Sequence, residues 1–336
     1  MGKQLGVDLG TTNTRICCKD RGPVLRAPTA IAVNKQTREV IAVGSEAKHM
    51  LGKTPDGIDA YTPIQGGVIA DFDIAVALLR YFFHRIQAVS FLSRPTAAVC
   101  IPRGATEVER RALEDAAFEA GAKLVAIVEK PLAAAIGSGL RVSDARGSMI
   151  VDIGGGTTEI AVVSLGGIVA SSTVRNAGDL FDAAIIRHIK NEKGILIGKM
   201  TAEQLKIQIG SVHPKIHIGE AEISGRDVHT GLATTAVVNT ADIRSAISDE
   251  IDALVTAIRQ TLEETPAELS SDICDYGLML CGGGARLPGI DRILAERLGI
   301  RVTIAKHPME SVALGLQRFV DNNGVYRGIP LQYRTR

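Results

Sequence analysis

Apolar and polar positions along the chain alternate between two periods. Short, densely apolar runs at 4–9, 15–18, 97–101 and 124–128 read as strands. Between them, residues 70–86 place apolar side chains at helical spacing, with Asp71 or Asp73 available as the cap. Residues 106–120 form a second amphipathic pattern, capped by Thr106, acidic in its first turn at Glu107 and Glu109, and ended by Gly121. Residues 131–138 are a small-residue helix. This strand–helix rhythm predicts a mainly parallel sheet covered by helices.

The second half differs in texture. Residues 179–190 and 201–210 have helical patterns, and 215–239 alternate with glycine punctuation, as an antiparallel insertion would. Residues 240–265 predict one long amphipathic helix, 276–281 a strand running into Gly282-Gly283-Gly284, and 288–298 a helix. An approximate duplication dominates. Gln4-Leu-Gly-Val-Asp8-Leu-Gly10-Thr11-Thr12-Asn13-Thr14 and Met149-Ile-Val-Asp152-Ile-Gly154-Gly155-Gly156-Thr157-Thr158 are each an apolar strand bearing an Asp, a Gly/Thr turn and a return strand, the second at 159–164. Two such units predict related halves facing each other across a cleft.

Composition narrows the function. The 336 residues suggest about two domains, and 46% hydrophobic content supports a sizeable core. Net charge is +1, with 38 basic and 37 acidic residues and no basic run, so no nucleic-acid partner is expected. Five cysteines without a C-x-x-C pair, mostly in apolar runs, read as reduced thiols of a cytosolic protein. No signal-peptide pattern and no membrane-length apolar window appear, which places the expected location in the cytoplasm.

The two Asp-Gly-Thr turns carry the chemistry. Glycine lets backbone N–H groups converge on phosphate, and Thr and Asn add side-chain donors. The Asp beside each turn, Asp8 and Asp152, is placed to hold Mg²⁺, directly or through waters. With two phosphate loops present, Gly282-Gly283-Gly284 becomes the expected wall for a purine ring.

The order Asp-x-Gly-Thr, Ile-Pro-x-Gly, x-Glu-x-Pro-x-x-Ala-x-x-Gly, Asp-x-Gly-Gly-Gly-Thr and Gly-Gly-Gly resembles the superfamily of actin, sugar kinases and chaperone ATPases. Within it, Asp8-Leu-Gly-Thr-Thr-Asn-Thr14, Val43-Gly-Ser-Glu-Ala-Lys48, Gly67-Val-Ile-Ala-Asp-Phe72, Asp152-Ile-Gly-Gly-Gly-Thr-Thr-Glu159, Ser164-Leu-Gly-Gly-Ile168, Gly178-Asp-Leu-Phe-Asp182 and Val312-Ala-Leu-Gly315 resemble the MreB family of bacterial actins over essentially the whole chain. The resemblance implies an α/β actin-like ATPase fold. One half would span 1–145 and 313–336, with a small subdomain about 33–75; the other would span 146–312, with an insertion about 183–238. It implies ATP and Mg²⁺ as ligands, Thr11, Thr12 and Asn13 as the first phosphate loop, and Gly154, Gly155, Gly156 and Thr157 as the second. Asp8 and Asp152 become the metal side, Gly178 and Asp179 ribose-phosphate neighbours, and Lys206 with Gly282, Gly283 and Gly284 the adenosine side.

Three positions depart from the family. Val128-Glu129-Lys130-Pro131 has Lys where a Glu that orients the attacking water is expected. A lysine, with an ordinary pKa of about 10.4, is protonated at neutral pH and cannot accept a proton. Tight binding with slow hydrolysis follows as an expectation; the alternative is that Glu129 or Thr157 takes over the role of the missing acid. Gln204 stands where the family more often has Glu near the ribose, and Arg15 where an apolar residue is usual.

Phe91 and Leu92, flanked by Arg85 and Arg94, resemble the membrane-inserting loop of the family, with the arginines toward anionic headgroups. The implied biology is a filament of the chain with itself on the inner face of the cytoplasmic membrane, working with wall-synthesis membrane proteins to maintain rod shape. A slowly hydrolysing paralogue that co-assembles with an active copy is the alternative. A chaperone ATPase is disfavoured because the chain ends at Arg336 without a substrate-binding domain, and a sugar kinase because no acceptor-binding Asp stands out.

Overall fold

Each Asp-Gly-Thr motif folds into the hairpin that begins a sheet. In the computed structural model, which describes residues 2–89, 93–326 and 328–335, Gln4–Leu9 pairs antiparallel with Asn13–Cys18, and Ser148–Ile153 with Thr158–Ser164. Gly22–Pro28 extends the first hairpin and Gly167–Val174 the second, each after a register shift within the middle strand. On the other side of each leading strand the pairing turns parallel. Gln4–Leu9 is followed by Thr96–Ile101 and Leu124–Glu129, and Ser148–Ile153 by Leu278–Cys281 and Val302–Ile304. The two sheets therefore share a five-strand order; Arg334–Thr335 adds an antiparallel edge to the first.

The chain passes from the first sheet to the second through the helix Lys130–Gly137 and returns through Ser311–Asp321. These helices cross backbone to backbone. A Cβ on Gly137 would stand 1.7 Å from Ser311 O, and one on Gly315 1.9 Å from Ala133 O. Only hydrogen at both α-carbons permits so close a crossing. Around it lies a core drawn from both sheets, including Ala98, Ile150, Cys281, Leu316 and Phe319.

Two smaller sheets flank the cleft mouth. Ile31–Asn34, Val40–Val43 and Ile58–Tyr61 pack with the helix Ser45–Met50 around an alanine core. Ile195–Leu196, Glu220–Asp227 and Ala233–Asn239 form the antiparallel sheet that the alternating pattern foretold.

Local signals are mostly realised. Asp71 caps Phe72–Arg85 by accepting from Ile74 N, and Thr106 with Glu109 closes a reciprocal capping box on Glu107–Glu119. The single helix expected over 240–265 is instead two, Thr240–Ala246 and Ser248–Glu263, separated by Ile247 at ψ 11°. The strand expected from 276 begins later: Tyr276 ends the helix Ala267–Tyr276, and Gly277, at φ 80°, turns the chain into Leu278–Cys281. Among the described residues, no helix is long and apolar enough to cross a membrane.

Candidate functional site

The two Gly/Thr turns meet face to face. Each is closed by its own backbone bond, Gly10 N donating to Asn13 O at 3.2 Å and Gly154 N to Thr157 O at 2.9 Å. A Cβ on Gly155 would fall 2.0 Å from Thr12 Oγ1, and one on Gly156 2.6 Å from Thr11 Oγ1. Glycine is thus required for the loops to approach, not only for their own bends. Thr11 Oγ1 also accepts from Gly67 N at 3.0 Å, bringing a third loop to the same point.

The helix Gly178–Lys193 starts on this cradle, with Gly178 N donating to Gly154 O at 3.1 Å and Asp179 N to Gly155 O at 2.7 Å. A cleft of about 780 Å³ opens beside the loops, lined by Thr11, Asn13, Thr157, Asp179 and Lys206 among others. Gly282 forms part of its wall at φ 82°, where a Cβ would press on Ile153 O and Asp152 Oδ1, whereas one on Gly283 would meet nothing. Such a wall of bare backbone suits a flat ring. Across the mouth, Lys48 Nζ donates to Glu203 Oε2 at 2.8 Å, tying the two flanking subdomains together.

The floor is strongly charged. Asp8 and Asp152 are buried at equivalent places in the two hairpins. Register sets Arg15 opposite Asp8, with Nη1 3.6 Å from Oδ2, and sets Glu159 opposite Asp152. Lys130, opening the crossing helix, puts Nζ 3.3 Å from Asp152 Oδ2 and 3.6 Å from the position a Cβ on Gly154 would take. Burial pulls the ammonium down, but Asp152, Asp8 and Glu159 outweigh it and hold Lys130 above the ordinary lysine value. Burial raises Asp8, opposed by the charges of Lys130 and Arg15. Glu159 is raised by burial too, against Lys130 and the donors Thr173 Oγ1 at 2.7 Å and Arg103 N at 3.2 Å.

This floor does not fit a resident Mg²⁺. Mg²⁺ takes near-octahedral oxygens and favours carboxylates free to face it. Here both expected ligands, Asp8 and Asp152, already face a fixed cation.

Of the residues expected from sequence, Thr11, Thr12, Asn13, Lys130, Gly154, Gly155, Gly156, Thr157, Gly178, Asp179, Lys206, Gly282, Gly283 and Gly284 all line the cleft, with Asp8 and Asp152. Lys206 is held inward, its Nζ 2.7 Å from Asp182 Oδ1 and 2.9 Å from Gly178 O. Two expected residues lie apart from the cleft lining. Gln204 is exposed and outside the cleft lining, because Ala202, Leu205 and Ile209 turn the helix Lys199–Ile209 so that Glu203 and Lys206 face the cavity. Glu129 also lies outside the lining, its carboxylate paired with Arg103. Phe91 and Leu92 lie outside the described residues. Sequence reading did not single out Lys48 and Glu203, which join across the mouth; they lie 155 positions apart, beyond any short-range pattern.

Comparison with known proteins agrees with this geometry. Residues 2–327 match the family model described as MreB/Mbl protein. The chain is 46% identical over 316 residues to the cell shape-determining protein MreB of Escherichia coli K12, covering 93% of this chain and 91% of that protein. Its structure is similar to MreB 5 of Spiroplasma citri bound to AMPPNP, with a TM-score of 0.91 and 36% identity over 96% of this chain and 98% of that one. It also shares its fold with MamK of a double helical filament, with a TM-score of 0.79 at 22% identity over 95% and 98% of the two chains. With paired hairpins, facing glycine loops and a match along nearly its whole length, the chain belongs to the MreB/Mbl family of actin-like proteins.

Proposed function

We propose that this protein binds ATP in the cleft and assembles into membrane-associated filaments that help determine cell shape, with slow ATP turnover. The observation that carries the turnover reading is Lys130 Nζ, 3.3 Å from Asp152 and against the second Gly/Thr loop. An acid at this place could orient water or accept its proton, whereas an ammonium offers only donors. It can instead meet the phosphate tail as a counter-charge, which favours bound ATP over product formation. Loss of a positioned base is worth about a hundredfold or more in rate.

The nucleotide reading is supported by the facing loops and by the AMPPNP-bound MreB 5 of similar structure. Filament formation is supported by family membership and the two-sheet actin frame, because a head-to-tail contact that does not close a ring propagates. Membrane attachment rests on Phe91 and Leu92 between Arg85 and Arg94, a weak anchor that many copies on one filament would strengthen. Wall-synthesis membrane proteins are the expected partners of such a filament.

Lys130 also favours a second reading, a paralogue that assembles on an active family member. One experiment addresses both. Pelleting and phosphate release are followed in the same sample with ATP, Mg²⁺ and anionic vesicles. Persistent filaments with little phosphate support the leading reading. Phosphate release as fast as that of a Lys130→Glu variant overturns slow turnover, and pelleting only after an active MreB is added selects the paralogue.

A further inference from the structure

Two residues that depart from the family pattern, Lys130 and Arg15, lie 115 positions apart in number yet meet at one floor. Arg15 reaches Asp8 at 3.6 Å across its own hairpin, and Lys130 reaches Asp152 at 3.3 Å from the crossing helix. Both pairs are buried, with side-chain exposures of 13% and 8% for the first and 15% and 3% for the second. The carboxylates concerned are the two that the paired motifs offer to a metal. We propose that this fixed pair of cations stands in for the divalent metal, so that the chain binds its nucleotide without needing Mg²⁺. The inference rests on the nucleotide reading of the cleft.

The physical argument is one of occupancy and charge. Mg²⁺ serves nucleotide sites by bridging carboxylates to phosphate oxygens, and it dehydrates reluctantly. A tethered ammonium is already in place and loses no translational freedom when nucleotide arrives. Mg²⁺ entering beside Asp152 would have to displace that ammonium or sit next to a like charge in a poorly screened floor. Lys130 Nζ also lies against the Gly154 loop, within reach of anything the loop cradles. The bare alternative is that the ion pairs quiet the carboxylates only until nucleotide and metal arrive together.

Equilibrium dialysis with radiolabelled ATP, in Mg²⁺ buffer and in EDTA, separates the two. The wild-type dissociation constant is expected to differ by less than about threefold between buffers, or to favour EDTA; by linkage, Mg²⁺ then gains nothing from the protein. A Lys130→Glu variant, which removes the ammonium and adds an acid, is expected to lose about tenfold or more in EDTA, the scale of a typical coupling between ligands. Weakening of the wild type by more than about threefold in EDTA would overturn the proposal, whatever the variant does. Absence of ATP binding in both buffers would instead sink the nucleotide reading, and this inference with it.

Discussion

Replacing Lys130 by Met tests the charged floor without any nucleotide. The side chain is 15% exposed and its partner Asp152 3% exposed, so the pair is effectively buried. Removing one partner of a buried pair typically costs about 3–5 kcal/mol, because the other charge is left uncompensated. The loss should exceed that of Asp152→Asn, since the lysine of that variant still faces Asp8 and Glu159. Combining the two substitutions removes both charges and should cost less than the sum, with a coupling of about 2 kcal/mol.

The same reasoning fixes a pH signature. Without the ammonium, three buried carboxylates share the floor, and two of them, Asp8 and Glu159, are already raised by burial. Removing a counter-charge raises them further, so the folded Lys130→Met protein binds more protons than its unfolded chain. Its stability therefore falls as pH rises from the unfolded carboxylate value, 3.8 for Asp8, toward the raised folded value. In the wild type, the raised lysine contributes stability that is fully present below the ordinary lysine value and lost only in alkali, so its part stays flat near neutrality. The chain has no Trp, so urea unfolding is followed by far-UV circular dichroism at several pH values between about 4 and 8, which begins at the unfolded carboxylate range. A deficit that widens with pH and a non-additive cycle are expected. Parallel pH curves, or additivity within about 0.5 kcal/mol, would refute the placement of Lys130 against Asp152.

Two further outcomes follow from the fold. Gly315→Ala should destabilise by about 2 kcal/mol or more, because its Cβ would stand 1.9 Å from Ala133 O; the modest gain that alanine brings to an open helix would contradict the crossing. Asp182, raised by burial to about 6 against the pull of Lys206, should destabilise the fold by about 3 kcal/mol as pH rises from about 4 to 6, and an Asp182→Asn variant should lack that slope in urea titrations.

The sequence was most legible where local chemistry and the duplication agreed. The Asp-Gly-Thr hairpins, the Asp71 cap and the Thr106 capping box are short-range devices, and each was realised. The break at Ile247 was not readable, because Ile243, Ile247, Ile251 and Leu254 are all buried and continue the apolar spacing straight through it. Glu203 rather than Gln204 enters the cleft through a difference of one helical position, finer than periodicity resolves without knowing which face the subdomain buries. The identity of Lys130 was visible and its family position informative, but its contact with Asp152 depends on how a glycine-tight helix crossing aims the first turn of one helix.

The duplication also explains why two cations, and not one, had to be placed. Arg15 and Glu159 are equivalent positions, each opposite its motif Asp across a hairpin. In the first half that position carries a cation, so Arg15 faces Asp8 from within its own hairpin, where the charge of Lys130 also acts. In the second half it carries an acid, which adds charge beside Asp152 instead of cancelling it, and the counter-charge has to come from another element. The crossing helix is the segment that reaches there from the first sheet, and its opening residue is Lys130. Each motif Asp therefore meets a cation by a different route, one local and one spanning the two sheets, while Glu159 leaves the floor with three carboxylates to two cations. The route through Lys130 makes the cleft's electrostatics depend on the contact between Gly137 and Gly315 that holds the crossing in place.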